Sequence, residues 1–321
     1  MPQAAAPRNQ GLSDLSRERL RSAWIFLFPM CLALLIVAGW PLMRSIWFGF
    51  TDTVTDHIGE GDFIGFGNYL SSKTLPSGRT IYFGVLVDSE WWNAVWNTVR
   101  FAVLSVVCET ALGMCVALAL NASFPGRGIV RAAILVPWAI PTIVSAKMWA
   151  WMLNDQFGII NDFFLRIGLI SHKIAFTATD ATSMGAVLAV DIWKTTPFMA
   201  LLILAGLQQI PNDIYEAAAI DGVHPLKVFW RLTLPLVRPA VMVAVIFRFM
   251  DAMRIFDLVY VLTPNSSATK TMSVIARENM FDFDKLGYGS AMSTLLFLIL
   301  LISIILYLRI GRVDLTNDGG R

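Results

Sequence analysis

Charge is scarce in this chain. Asp, Glu, Lys and Arg make up 15% of its 321 residues, against about 25% in a water-soluble domain. A conventional soluble fold is therefore excluded as the bulk class. Cysteine is almost missing: Cys31, Cys108 and Cys115 all fall in apolar segments, and no CxxC pair occurs. That excludes a disulfide framework and a cysteine metal site, and the three thiols are expected to be buried and inert. No GxxxxGK[ST] run is present, so the chain has no phosphate-cradling loop of its own. The net charge of +2 is spread along the chain without a basic domain, which argues against nucleic acid as a partner. No nucleophile, metal cluster or acid–base constellation stands out.

What is present is apolar, at 56% hydrophobic residues. Several runs approach or exceed the ~20 residues that cross a bilayer. Six spans are predicted, near residues 22–45, 97–120, 130–153, 184–206, 238–262 and 286–309. Helices are expected because the runs are long and do not alternate. Trp24 to Met43 is free of charge and exceeds a signal-peptide core, so it reads as a retained first span. Residues 12–21 read as a short lead-in. With the N-terminus inside, the inner segments hold 12 Lys or Arg and the outer loops seven. That bias places both termini and residues 207–237 in the cytoplasm. The outer loop 51–92, with its FIGFGNYL stretch, reads as a structured cap. Trp91, Trp92 and Trp96, and Trp138, Trp149 and Trp151, are spaced as interfacial anchors, with sugar stacking as the alternative for a subset. Pro137 and Pro141 predict an interruption of the third span.

Residues 216–239 read EAAAIDGVHPLKVFWRLTLPLVRP. Pro211 suits a helix start, Asp213 to Ile220 are good helix formers, and Asp221-Gly222 is a turn signal. Pro225 sits where a second short helix, 225–232, begins. Pro235 and Pro239 punctuate the approach to the fifth span. Helix, tight turn and short helix make a compact projection below the membrane, suited to pressing into a groove on another protein, with a cytoplasmic hairpin that merely reconnects two spans as the alternative.

This stretch resembles the EAA loop of the permease subunits of ABC importers. Glu216, Ala217, Ala218, Gly222, Leu234 and Pro235 stand in the family's arrangement, and Asp221, Phe229, Thr233, Leu236, Arg238 and Pro239 fit its carbohydrate branch. Val223 and Leu232 are mild departures. Further resemblance lies in WIFLFP at 24–29, WNTVRF at 96–101, WMLNDQFGIIN at 151–161 and FDLVYVLT at 256–263. Pro264-Asn265-Ser266 departs from the family's glycine-rich run. The chain looks most like the first of two sugar permease subunits, and among these most like the trehalose permeases of actinobacteria.

The resemblance implies an all-α polytopic fold of six helices in the bacterial cytoplasmic membrane. It implies a lead-in (1–21), a permease domain (22–311) and a short tail (312–321). A noncatalytic subunit follows, with a second homologous permease, two ATPase subunits that hold ATP and Mg2+, and an extracytoplasmic sugar-binding protein as partners. Carried over by residue, Glu216, Ala217, Ala218, Asp221, Gly222, His224 and Lys227 would form the ATPase-coupling region. A membrane scaffold or receptor subunit with no solute path is the competing reading.

Charges inside the spans are costly unless paired or facing water. Asp191 and Lys194, Arg248 and Asp251, and Arg254 and Asp257 repeat a spacing of three, which puts each pair on one helix face. Internal ion pairing and a polar translocation path both explain them. Trp193, Phe247 and Phe256 are the aromatic candidates beside them, and Glu109 is a further buried charge, expected to bond within its own helix or across a subunit boundary.

Overall fold

The computed structural model describes residues 14–264 and 266–311. Most of the expected lead-in, the whole tail and Asn265 lie outside them. Thirteen α-helices and one β-hairpin are described. The first span is α1 (Asp14–Leu34), a π turn (Leu35–Gly39) and α2 (Trp40–Phe48). The hairpin, β1 (Ser71–Thr74) and β2 (Thr80–Phe83), precedes α3 (Ser89–Asn121). Then come α4 (Arg127–Ala139), α5 (Thr142–Met152), α6 (Ile159–Arg166) and α7 (Asp180–Leu207). The projection is α8 (Asn212–Ile220) and α9 (Pro225–Val228), and a π turn (Phe229–Thr233) joins α9 to α10 (Leu234–Met253). Short α11 (Asp257–Leu262) and α12 (Met272–Arg277) lead to α13 (Leu286–Gly311). Among the described residues, five helices are long and apolar enough to span a membrane, and the α4–α5 pair makes a sixth when counted as one broken span.

The core lies where α3, α7 and α10 pack together. Gly206 of α7 permits this: a Cβ there would run into Ala240 of α10, so the two backbones approach as small residues allow between membrane helices. One apolar cluster, with Phe101, Val190, Met253 and Met292, fills the half of the bundle nearest the 51–88 segment. A second, with Leu120, Ile203, Leu207 and Val237, fills the opposite half beside α8.

The segment after α2 is ordered against the rest, as its composition suggested. Asn68 Nδ2 donates to the Thr51 and Gly49 carbonyls at 2.7 and 3.1 Å. The Thr55 amide donates to Asp284 Oδ1 at 2.6 Å, and the Gly287 amide to the Thr53 carbonyl at 2.9 Å. Residues 51–55 are thereby fastened to the start of α13.

Four expectations change. The fifth span ends at Met253 rather than near 262, because the backbone at Arg254 and Phe256 leaves helical geometry before α11 starts. Its other end is longer: α9, the π turn and α10 run as one helix from Pro225 to Met253, so Pro235 and Pro239 do not break it. The Leu234 amide bonds the Phe229 carbonyl, five residues back, just before Pro235, and the Trp40 amide bonds the Leu35 carbonyl just before Pro41. A wider turn at these points relieves the clash of the proline ring with the carbonyl four residues earlier. Cys31, Cys108 and Cys115 are exposed on this chain, since they lie on helix faces turned away from the bundle. Trp91 is fully buried in the core rather than anchored at an interface, while Trp92 and Trp96 are exposed.

Gly206→Leu is expected to lower the thermal midpoint of the purified protein, by about 1–3 kcal/mol of overpacking. Gly185→Leu, where a Cβ meets nothing within 4 Å, should leave the midpoint near wild type in the same unfolding measurement.

Candidate functional site: a buried charge network and a projecting turn

Three core helices each bring charge to one point. Glu109 of α3 and Arg248 of α10 are 0% and 2% exposed, and Asp191 of α7 is 5% exposed. Arg248 Nε donates to Glu109 Oε2 at 2.6 Å and Nη2 to Glu109 Oε1 at 3.0 Å, a two-pronged contact. Arg248 Nη2 also donates to Asp191 Oδ2, and Nη1 to Asp251 Oδ2 at 3.2 Å. Ser105 Oγ lies 2.6 Å from both Glu109 Oε1 and Asp191 Oδ2. Thr195 Oγ1 donates to Glu109 Oε1 at 2.5 Å. Glu109 thus bonds within its own helix, to Ser105, as expected, and is in addition ion-paired across helices to Arg248.

The network forms part of the wall of a cavity of about 470 Å³. Its other walls are the α4–α5 junction and the Arg254–Leu258 stretch after α10. Asp251, Arg254, Phe256 and Asp257 border it, as do Asp191, Lys194 and Arg248. Seven of the nine path candidates are therefore gathered at one cavity. Trp193 and Phe247 are not. Trp193 packs edge-on against Trp149 of α5, with ring centroids 5.4 Å apart, and Phe247 projects outward from α10, 53% exposed.

The pairing inferred from spacing holds only for Arg248 and Asp251. Asp191 is taken by Arg248 across the bundle, and Lys194 donates instead to the Ile140 carbonyl at 2.6 Å. Arg254 and Asp257 do not pair with each other, because α10 ends between them and they no longer share a helix face. Arg254 Nε instead donates back to the Met250 carbonyl at 3.3 Å. Ser105 and Thr195 were missed. Glu109 and Asp191, the lone acids of their spans, were the available signal that a basic partner sits on another helix.

At the other end of the Pro225–Met253 helix from Met253 lies the projection. The Val223 amide donates to the Ala218 carbonyl at 3.0 Å and the Gly222 amide to the Ala219 carbonyl at 3.1 Å. This pair of bonds is a Schellman closure, with Gly222 at φ 65°. His224 Nδ1 accepts from the Leu226 amide at 3.3 Å and caps α9. Glu216, Ala217, Asp221, His224 and Lys227 are exposed, while Ala218 is buried against the bundle. Ile220 stands at the tip, 87% exposed. Among the described residues, no group of three or more His, Cys, Asp or Glu side chains is arranged to hold a metal ion.

A multi-helix membrane bundle built round a buried charge network and a polar cavity, with a hydrogen-bonded turn projecting from one end, has the build of a membrane transport subunit. The chain belongs to the family of binding-protein-dependent transport system inner membrane components, which residues 109–314 match. It is thus a noncatalytic, multi-pass inner-membrane permease subunit of an ABC transporter. It is 39% identical over 306 residues to the trehalose/maltose transport system permease protein MalF of Thermococcus litoralis, covering 95% of this chain and 98% of that one. It is 33% identical over 285 residues to the trehalose transport system permease protein SugA of Mycobacterium tuberculosis, covering 89% and 86%. The archaeal protein exceeds the actinobacterial one in identity, so the expected affinity with actinobacterial permeases is not upheld. The fold matches a chain of a bacterial ABC transporter involved in alginate import, with a TM-score of 0.75 at 20% identity over 94% of this chain and 98% of that one.

Removing one partner of a buried ion network leaves an uncompensated charge, at a cost of about 3–5 kcal/mol. Glu109→Gln and Arg248→Met are expected to lose that much in denaturation of the purified protein. Asp251 has an exposed carboxylate, so Asp251→Asn should cost less than about 1 kcal/mol.

Proposed function

We propose that this chain is one of two permease subunits of an ATP-driven sugar importer, carrying trehalose or a related disaccharide. The names of its relatives support the solute class. We further propose that residues 207–237 couple it to two ATPase subunits holding ATP and Mg2+, and that an extracytoplasmic binding protein delivers the solute. The permease domain is 22–311, flanked by the lead-in 1–21 and the tail 312–321, with both termini and the projection in the cytoplasm. The excess of Lys and Arg at that end supports this orientation.

One observation carries the coupling. The helix that begins at the projecting turn is the helix that holds Arg248. Pro225–Met253 is continuous over 29 residues, a rod of about 43 Å at 1.5 Å per residue. Displacement of the turn by a closing ATPase pair would move Arg248 and Asp251 with it, and so move one wall of the cavity. Uptake is then a shift between inward- and outward-facing populations, biased by nucleotide at one end and solute at the other. In the cavity, Asp251, Arg254 and Asp257 offer hydrogen bonds to sugar hydroxyls, and Phe256 offers a ring face.

ATP-dependent uptake of trehalose or maltose is expected in proteoliposomes that hold both permeases, the ATPases and the binding protein. Gly222→Val forces a β-branched residue into a left-handed conformation, a strain of about 1–3 kcal/mol. This variant and Glu216→Ala are expected to weaken ATPase association or to separate hydrolysis from uptake. Normal assembly, uptake and stimulated hydrolysis in both variants would overturn the coupling assignment. A complete complex that moves no sugar would overturn the solute class.

A further inference from the structure

We infer that Lys194 is a positioning residue, which holds the bend between α4 and α5 in place and does not itself contact solute. The two helices meet at 88°. Pro141 follows the end of α4 and has no N–H to offer. The backbone turns extended at Ile140, with ψ 133°, so the Trp138 and Ile140 carbonyls have no helical donors and must be met by another helix or by the cavity. Lys194 Nζ fills this gap from α7, donating to the Ile140 carbonyl at 2.6 Å and to the Trp138 carbonyl at 3.4 Å. Lys194 is 7% exposed, and among the described residues it makes no salt bridge, although Asp191 is one turn away. A cation at the C-terminal end of a helix also meets the negative end of that helix's dipole.

The neighbours of Lys194 on α7 complete the hold. Trp193 packs on Trp149 of α5, and Phe198 stacks on Trp138 of α4 with centroids 5.7 Å apart and planes 16° from parallel. One stretch of α7 thus grips the limb before the bend, the bend itself and the limb after it. Since the α4–α5 junction is a wall of the cavity, Lys194 shapes the cavity through backbone. Only the effect on uptake rests on reading that cavity as part of the solute path. The effect on the bend stands apart from that reading.

The test measures the bend directly. Spin labels are placed at 129 on α4 and 151 on α5, whose native Ile and Trp are 78% and 71% exposed, in the assembled importer with Cys31, Cys108 and Cys115 replaced. Pulsed electron resonance should give one narrow distance with Lys194 present, a similar one in Lys194→Arg, and a broadened or second population in Lys194→Met. Lys194→Gln, whose amide ends one bond short of the carbonyls, is read the same way if Lys194→Met does not assemble. In uptake, Lys194→Met should slow trehalose and maltose by the same factor. Unchanged distances without the ammonium would overturn the inference, and so would a change in the trehalose-to-maltose ratio with distances intact. Absence of uptake in the wild-type complex would count against the sugar reading while leaving the distance result to stand.

Discussion

The bidentate grip of Arg248 on Glu109, with Asp191 on its other side, is the constraint round which the bundle is organised. Each of the three residues is nearly sealed from solvent, and each comes from a different core helix. None can be buried alone at acceptable cost. α3, α7 and α10 must therefore arrive in one mutual rotation and depth before any of the charges is satisfied. Ser105 and Thr195 tighten the requirement by donating to Asp191 Oδ2 and Glu109 Oε1, two of the carboxylate oxygens that the guanidinium also contacts. A network of this kind adds little net stability over an apolar core of the same shape, but the penalty for a wrong arrangement is steep. Its effect is to specify one packing.

Two helices attached to this frame behave in opposite ways. The one carrying Arg248 stays continuous through two prolines, because a π turn widens it just before the first. The third span, also with two prolines, breaks at 88°. The difference lies in what surrounds the proline-perturbed carbonyls. In α4–α5 the break is compensated from outside, by a lysine and two aromatic pairs on α7. In α9–α10 the perturbation is absorbed within the helix. The cavity lies between the bent wall and the straight one.

Much of this was legible in the amino-acid pattern. Uninterrupted apolar runs gave the spans, and Asp221-Gly222 marked the turn that Gly222 closes with positive φ. The gathering of charge in the fifth span marked the wall of the cavity. Other features depended on long-range geometry that spacing along one helix does not encode. Arg254 and Asp257 have the same separation as Arg248 and Asp251, yet a helix end falls between them. Trp91 and Trp92 are neighbours in sequence, but only Trp91 turns into the core. The cysteines lie in apolar segments and are nonetheless exposed, because in a membrane the apolar face of a helix need not be its buried face. Lys194 looked like half of an ion pair, and its partners are backbone carbonyls, which carry no residue-type signal.

The π turn at Phe229–Thr233 also fixes a phase. It holds one residue more than a regular α-helical turn would use there. A chain lacking any one of those five residues could close the same helix with ordinary bonds, and its apolar composition would hardly differ. Everything before the turn would then be rotated relative to everything after it by about 100°, one residue's share of a helical turn. The exposed face of His224 and Lys227 would point elsewhere while Arg248 still faced Glu109. The length of this segment is thus constrained to the single residue, independently of which side chains occupy it.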